Sequence, residues 1–336
     1  MPRVFVSDVI PGDILEPLLV VADVEVWGGG GHVPLAVLLE KIAPCEGWLS
    51  MLSDTIDTGL LDAAPELRVI SQMSVGVDNI DVEACRDRGV VVGHTPDVLT
   101  ETTADTAFAL IAAAVRRLPE GEAIVKSGSW GPWDPWHFLS GDLHGCTIGI
   151  VGMGRIGMAI ARRTRGFGMR VLFTSRTPKE VPDAVRVDLE DLLAGSDVVV
   201  VAAPLNEETR GMIGRAELGL MRPTAFLVNI ARGPLVDTAA LVDALAARVI
   251  GGAALDVTDP EPLPPDHPLL GFPNCLVVPH IGSATVPARR AMARLAVDNL
   301  VAGLRGQPMP AWLPDSAEQR LHDYPSAGSP SESREN

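Results

Sequence analysis

The chain has 336 residues, enough for two domains and a core that needs no disulfide or metal staples. Hydrophobic residues make up 47% and charged residues 21%, an ordinary globular usage that excludes wholesale disorder, collagen and coiled coil. Asp and Glu outnumber Lys and Arg by 43 to 27, and the net charge of -16 repels phosphate backbones and anionic lipid, so neither nucleic acid nor membrane is an expected partner.

The N-terminus carries one basic residue, Arg3, and an early acid, Asp8, which reads as no signal peptide. No apolar run approaches the roughly 18 residues of a membrane span. Up to residue 93, short β-branched runs at 4–7, 24–27, 47–51, 68–72 and 90–92 alternate with helical patterning at 34–42 and 81–87. That alternation predicts a parallel sheet with crossover helices. The Ala-rich stretch 101–118 follows a turn at Thr95, Pro96 and Asp97 and has no internal Pro or Gly, so it predicts one continuous helix bridging two domains.

A second alternating series starts at Cys146, with strands at 147–151, 170–174, 197–202, 225–230, 249–255 and 275–278 and helices including 156–166 and 238–247. The expected fold class is therefore α/β, with two doubly wound parallel-sheet domains. An amphipathic helix runs from beyond Ala284 through Leu304, and 315–336 has the Ser, Pro, Glu and Gly usage of a disordered tail. Cys45, Cys85, Cys146 and Cys275 are scattered, with no CxxC pair and no His at ligand spacing. They read as buried thiols in a reducing cytoplasm, with no metal.

Gly152-Met153-Gly154-Arg155-Ile156-Gly157 directly follows the apolar run 147–151 and opens a helix. A lone GxGxxG is weak, but here the strand and helix that the mechanism requires are both present. Glycines admit a pyrophosphate to the backbone and the helix start supplies oriented N–H groups, so the turn points to dinucleotide binding. Ligands of such sheets lie beyond the carboxyl ends of the strands, where three residues stand out. Arg232 follows the run 225–230, Glu261 lies a few residues beyond Leu255, and His280 follows the run from Cys275. An Arg can hold a carboxylate, a His can exchange a proton, and a Glu beside it can orient the ring. Singly each has an ordinary alternative: Arg232 capping a strand or pairing with Asp256, Glu261 a solvated loop acid, His280 a core histidine. The joint placement on one rim favours a site. His32, His94, His137, His144, His267 and His322 lack such a constellation.

Cofactor choice rests on the end of the run 170–174. An NAD-selective site has an acid about 20 residues beyond the glycines, accepting from the ribose 2′-OH. Here Ser175, Arg176 and Thr177 stand 18 to 20 residues past Gly157, with Glu180 and Asp183 only later. A guanidinium between two hydroxyls suits a 2′-phosphate, so NADPH is expected to be preferred over NADH; if Arg176 instead stacks on adenine or faces water, both serve. The segment 128–136 sets Trp130, Trp133 and Trp136 within seven residues. It reads either as a loop folded onto its own core or as aromatic anchors at an interface.

The motif 152–157, with Val-Asn-Ile-Ala-Arg-Gly-Pro-Leu-Val-Asp at 228–237, Ala-Leu-Asp-Val-Thr-Asp-Pro-Glu-Pro-Leu at 254–263 and Pro-His-Ile-Gly-Ser-Ala-Thr at 279–285, resembles the D-isomer-specific 2-hydroxyacid dehydrogenases. Met-Ser-Val-Gly-Val-Asp at 73–78, His-Thr-Pro-Asp-Val-Leu-Thr-Glu-Thr-Thr-Ala at 94–104 and Gly-Leu-Arg-Gly-Gln-Pro-Met-Pro at 303–310 are similar to glyoxylate/hydroxypyruvate reductases of the animal type. The likeness covers about residues 3–314. It implies a Rossmann nucleotide domain, 99–284, inserted in a discontinuous flavodoxin-like substrate domain, 1–98 and 285–314, with the site in the cleft between them. It implies Arg232, Glu261 and His280 as the catalytic set. Backbone N–H groups of Ser74, Val75 and Gly76 would hold the substrate carboxylate, the plain alternative being a glycine turn. Thr103, Pro204, Thr209, Ile230, Asp256 and Gly282 would join the glycine turn on the cofactor side. In a homodimer, Trp133 would reach the neighbour's substrate pocket.

The activity so implied is NADPH-preferring reduction of glyoxylate or hydroxypyruvate to glycolate or D-glycerate. The rival readings are a D-lactate-type or phosphoglycerate dehydrogenase and, from another class, a corepressor-like protein that senses dinucleotide. A long-type phosphoglycerate enzyme would carry a regulatory domain where 315–336 offers a polar tail, and no basic or partner-docking extension favours the corepressor.

Overall fold

The computed structural model describes residues 1–314, and the tail expected at 315–336 lies outside the described residues. The described residues divide into two compact units, one of Met1–Val98 with 286–314, the other of Leu99–Thr285.

In the first unit, β1 (Arg3–Val6), β2 (Asp23–Val26), β3 (Gly47–Ser50), β4 (Val69–Gln72) and β5 (Val91–Gly93) pair in parallel in the order β2-β1-β3-β4-β5. This is the flavodoxin-like doubly wound order. The two-residue period of a strand sends Phe5, Trp48, Ile70 and Val92 to one core and Val4, Val6, Leu49, Val69 and Val91 to the other. Both faces are covered, which is why these strands read as continuous apolar runs. Helix Val286–Leu304 closes the second face with Ala293, Ala296, Val297 and Leu300.

In the second unit, β6 (Thr147–Val151), β7 (Arg170–Thr174), β8 (Ala184–Arg186), β9 (Val198–Val201), β10 (Phe226–Asn229), β11 (Gly252–Leu255) and β12 (Cys275–Val277) form a parallel sheet ordered β12-β11-β10-β9-β6-β7-β8. Counted from β6, this is the classic dinucleotide-binding order with one further strand at its edge. Strand order reverses between β6 and β9, so the crevice beyond their carboxyl ends is the switch point where such sheets take ligands. The expected doubly wound parallel architecture is thus observed in both units.

The stretch expected as one helix through 118 is two. The first helix ends at Val115 and a second, Leu118–Lys126, follows with Pro119 in its first turn. Between them Arg117 is left-handed, with φ of 54°. Its guanidinium bonds Glu120, donates to Leu139 O at 2.9 Å and lies 4.2 Å from the Phe138 ring centroid. These contacts offset a conformation that costs a non-glycine residue roughly 1 kcal/mol. The short edge strand β8 was absent from the sequence reading, being three residues long with two of them exposed. All four cysteines are free, two buried and two partly so, and burial pushes the Cys45 thiol to about 11 and the Cys85 thiol to about 12. Among the described residues no helix is long and apolar enough to cross a membrane, and no group of three or more His, Cys, Asp or Glu is placed to hold a metal ion.

Candidate active site

The glycine turn fits a dinucleotide on its own geometry. Gly152 has φ of 100°, and a Cβ there would sit 2.6 Å from Ala203 N; one at Gly157 would sit 2.4 Å from Gly152 O. Both positions let backbone approach backbone. At Gly154, by contrast, a Cβ would meet nothing within 4 Å, which leaves open space in front of the turn. Helix Arg155–Thr164 starts there with no side-chain cap from Gly154, and the N-terminus of a helix is suited to an anion. Ser175, Arg176 and Thr177 continue from the neighbouring strand, where Ser175 Oγ donates to Thr177 O at 2.8 Å and Arg186 Nη2 donates to Ser175 O at 3.0 Å. Thr103 is buried on helix Thr100–Val115, and Ile230 is buried at the end of β10. Beyond β9, Thr209 Oγ1 donates to Pro204 O at 2.8 Å and closes that loop on itself.

Beyond β10, β11 and β12 three polar turns converge. The side chain of buried Asn229 accepts from Ala231 N at 3.1 Å and donates to Arg232 O at 2.8 Å, clamping the turn that carries Arg232. Arg232 Nη1 donates to Ala231 O at 2.9 Å. Gly233 then runs so close to the next loop that a Cβ would lie 1.9 Å from Thr258 O. Thr258 N in turn donates to Glu261 Oε2 at 3.2 Å, and Thr258 Oγ1 to Pro260 O at 2.8 Å, so the Arg232 turn and the Glu261 loop are one packed assembly.

Glu261 Oε1 lies 2.7 Å from His280 Nδ1, which must carry the proton of that bond when the carboxylate is ionised. Burial pushes the Glu261 carboxyl up, but the His280 bond and charge, the Thr258 N–H and the Arg232 charge together hold it below the ordinary value. It therefore faces the imidazole as a carboxylate, and Nε2 is left as the ring's exchanging nitrogen. His280 itself has φ of 52°, held by its N–H to Asp256 O at 2.8 Å and by the buried Asp256 carboxylate, which accepts from Ile281 N at 2.7 Å and Gly282 N at 2.9 Å. Burial raises the Asp256 carboxyl; the Ile281 and Gly282 N–H groups and the His280 charge oppose it, and Glu261 adds to it. Arg232, Glu261 and His280 are thus brought together at the ends of three adjacent strands.

In the first unit, the carbonyls of Ser74, Val75 and Gly76 are all turned onto protein donors. Thr95 N reaches Ser74 O at 2.8 Å, His94 Nδ1 reaches Val75 O at 3.0 Å, and the Ser74 hydroxyl with Gln72 Nε2 reaches Gly76 O. Among the described residues the N–H groups of Val75 and Gly76 find no acceptor, so the loop presents donors to an anion. Sequence reasoning set His94 aside and did not single out Gln72, Asn229 or Gly233. A polar residue ending an apolar strand was the one available signal for Gln72 and Asn229. Trp130, Trp133 and Trp136 are 77, 86 and 80% exposed, which does not fit a loop folded onto its own core.

The family model for the D-isomer specific 2-hydroxyacid dehydrogenase NAD-binding domain matches residues 108–282. The glyoxylate reductase of Thermococcus gammatolerans is 47% identical over 317 residues, spanning 92% of this chain and 95% of its own. A Thermus thermophilus protein of known structure superposes with a TM-score of 0.88 at 47% identity, covering 93% of this chain and 99% of that one. The NADPH-dependent glyoxylate/hydroxypyruvate reductase of Sinorhizobium meliloti, solved with NADP and malonate, gives a TM-score of 0.83 at 35% identity, covering 94% and 98%.

Gly233→Ala tests the packed assembly. A Cβ against Thr258 O forces the two turns apart, with an expected loss of about 1–3 kcal/mol in chemical denaturation. Unchanged stability would show that the turns can separate freely.

Proposed function

The chain belongs to the D-isomer-specific 2-hydroxyacid dehydrogenases and is an NAD(P)-dependent dehydrogenase, and on that premise we propose that it is an NADPH-preferring reductase of glyoxylate and hydroxypyruvate, yielding glycolate and D-glycerate. The observation that carries this reading is the Glu261–His280 bond at 2.7 Å beside the Arg232 turn. A dinucleotide held by the glycine turn would supply the hydride that reduces the 2-oxo acid. Arg232 binds the carboxylate and polarises the ketone oxygen, while the N–H groups of Val75 and Gly76, with Ser74, hold the carboxylate. Protonated His280 gives its Nε2 proton to the oxygen as negative charge develops there, and Glu261 stabilises the imidazolium that must form before each turnover.

On the cofactor side, the turn 152–157 takes the pyrophosphate with Arg155 and Ile156 at the helix start. Ser175, Arg176 and Thr177 take the 2′-phosphate; Thr103, Pro204, Thr209, Ile230, Asp256 and Gly282 line the remainder. The exposed tryptophans support a homodimer in which the segment 128–136 covers the partner subunit and Trp133 reaches its pocket. The free thiols suit a cytoplasmic setting. Steady-state turnover of glyoxylate, hydroxypyruvate, pyruvate and 2-oxoglutarate, each with NADH and NADPH, tests the reading; no cofactor oxidation above background with any of them overturns it.

His280→Asn should lower kcat about 10²- to 10⁴-fold, the worth of a general acid, and Arg232→Ala should also raise KM. Glu261→Gln removes the carboxylate that accepts from His280 Nδ1, so kcat should fall with little change in KM. An unaltered kcat would break the pairing.

The wild-type chain should favour NADPH in kcat/KM, and Ser175→Asp with Arg176→Ala should reverse the order. Removing one charged hydrogen bond to phosphate is worth about 1.5–3 kcal/mol, more than tenfold. Equal weakening of both cofactors by Arg176→Ala alone would refute the 2′-phosphate assignment.

Trp133→Ala should weaken self-association in sedimentation or shift the ratio of kcat/KM between glyoxylate and hydroxypyruvate. If neither moves, Trp133 has no part in the partner's pocket.

A further inference from the structure

From the geometry around the glycine turn we infer that Lys179, outside every motif of the sequence, is a second ligand of the cofactor's 2′-phosphate and determines NADPH preference together with Arg176. The inference rests on the reading of 2′-phosphate recognition given above and adds a residue to it.

The adenosine ribose of a dinucleotide lies over the seam between the first and second strands of this fold, at the point where the glycines begin. Here that seam is defined by Val151 alongside Thr174, with Gly152 N donating to Thr174 O at 3.0 Å. Its two edges are therefore Gly152–Met153 and Ser175–Arg176. Lys179 starts from the second edge and reaches the first: its Nζ donates to Met153 O at 3.1 Å. The ammonium thus spans the seam where a 2′-substituent would stand.

Like Arg186, Lys179 donates to a backbone carbonyl, whereas several arginines of the same unit are paired with carboxylates. Arg162 and Arg163 pair with Glu101, Arg165 with Asp183 at 3.0 Å, and Arg222 with Asp197 at 2.6 Å. Among the described residues Lys179 has no carboxylate partner, in a chain where acids outnumber bases by 43 to 27. An ammonium has three donors, and one neutral carbonyl satisfies one of them. Asp183, four residues on, is occupied by Arg165. Exchange of the Met153 carbonyl for a phosphate dianion replaces a neutral acceptor by a charged one, a stronger bond. Arg186, through Ser175 O, holds the facing edge in place. The phosphate is then gripped from both sides of the seam, by Arg176 with its flanking hydroxyls and by Lys179.

The test is calorimetric binding of 2′,5′-ADP and 5′-AMP, which differ only in the 2′-phosphate, to the full chain and its variants. Lys179→Met keeps the aliphatic stem and removes the charge. It should weaken 2′,5′-ADP by about tenfold or more while leaving 5′-AMP unchanged, and Lys179→Arg should retain most of the affinity. If Lys179→Met weakens both ligands equally, Lys179 only props the glycine turn and the inference is overturned. If Arg176→Ala discriminates between the ligands and Lys179→Met does not, the inference fails while the cofactor reading stands. If the unaltered chain binds both ligands alike, the cofactor reading fails and this inference with it.

Discussion

Asp256 is buried at the end of β11, and its carboxylate is taken up by backbone. It accepts the consecutive N–H groups of Ile281 and Gly282, while its own carbonyl accepts the His280 N–H. Three bonds from one residue therefore fix the turn after β12, and they hold His280 in a left-handed conformation that it would not choose alone. The desolvation of Asp256 is tolerable because two N–H groups and the His280 charge offset it. Everything else in the catalytic geometry follows from that fixed turn. The imidazole meets Glu261, Glu261 is held by Thr258, and Thr258 is pressed against Gly233 and hence against the Arg232 turn.

Such convergence depends on the parallel sheet. When β10, β11 and β12 run the same way, each ends at the same edge, and the polar residue after each strand arrives beside its neighbour. This is why Arg232, Glu261 and His280, well separated along the chain, were legible as a set from sequence. The apolar runs gave the strands, and a rule about strand ends gave the residues. The glycine turn was legible for a similar reason, since its strand, its three glycines and its helix are contiguous in the chain.

What escaped the sequence depends on partners distant along the chain. Gly233 looks like an ordinary turn glycine until Thr258 is seen against it, and His94 is unremarkable until its ring meets the Val75 carbonyl. The break before Leu118 has a local cause in Pro119, but the left-handed Arg117 is sustained by Phe138 and Leu139, some twenty residues on. Lys179 carries no motif at all; only the carbonyl it touches marks it. A sequence pattern reports a residue's own preferences and those of its near neighbours, whereas these features are set by what the sheet brings alongside.

The first unit is interrupted in the chain by the whole of Leu99–Thr285, and the helix that seals one face of its sheet, Val286–Leu304, comes after that interruption. On the ribosome, β1 to β5 are made before the helix Val286–Leu304, which packs with Val4, Leu49, Val69 and Val91 in one core. The earliest part of the chain to be synthesised is thus the last to be completed. Its closing contacts, between Leu300 or Val297 and strands roughly 200 residues or more earlier, carry a large loop-closure entropy. One core of the first unit is thus assembled from the two sides of an inserted unit of 187 residues, Leu99–Thr285.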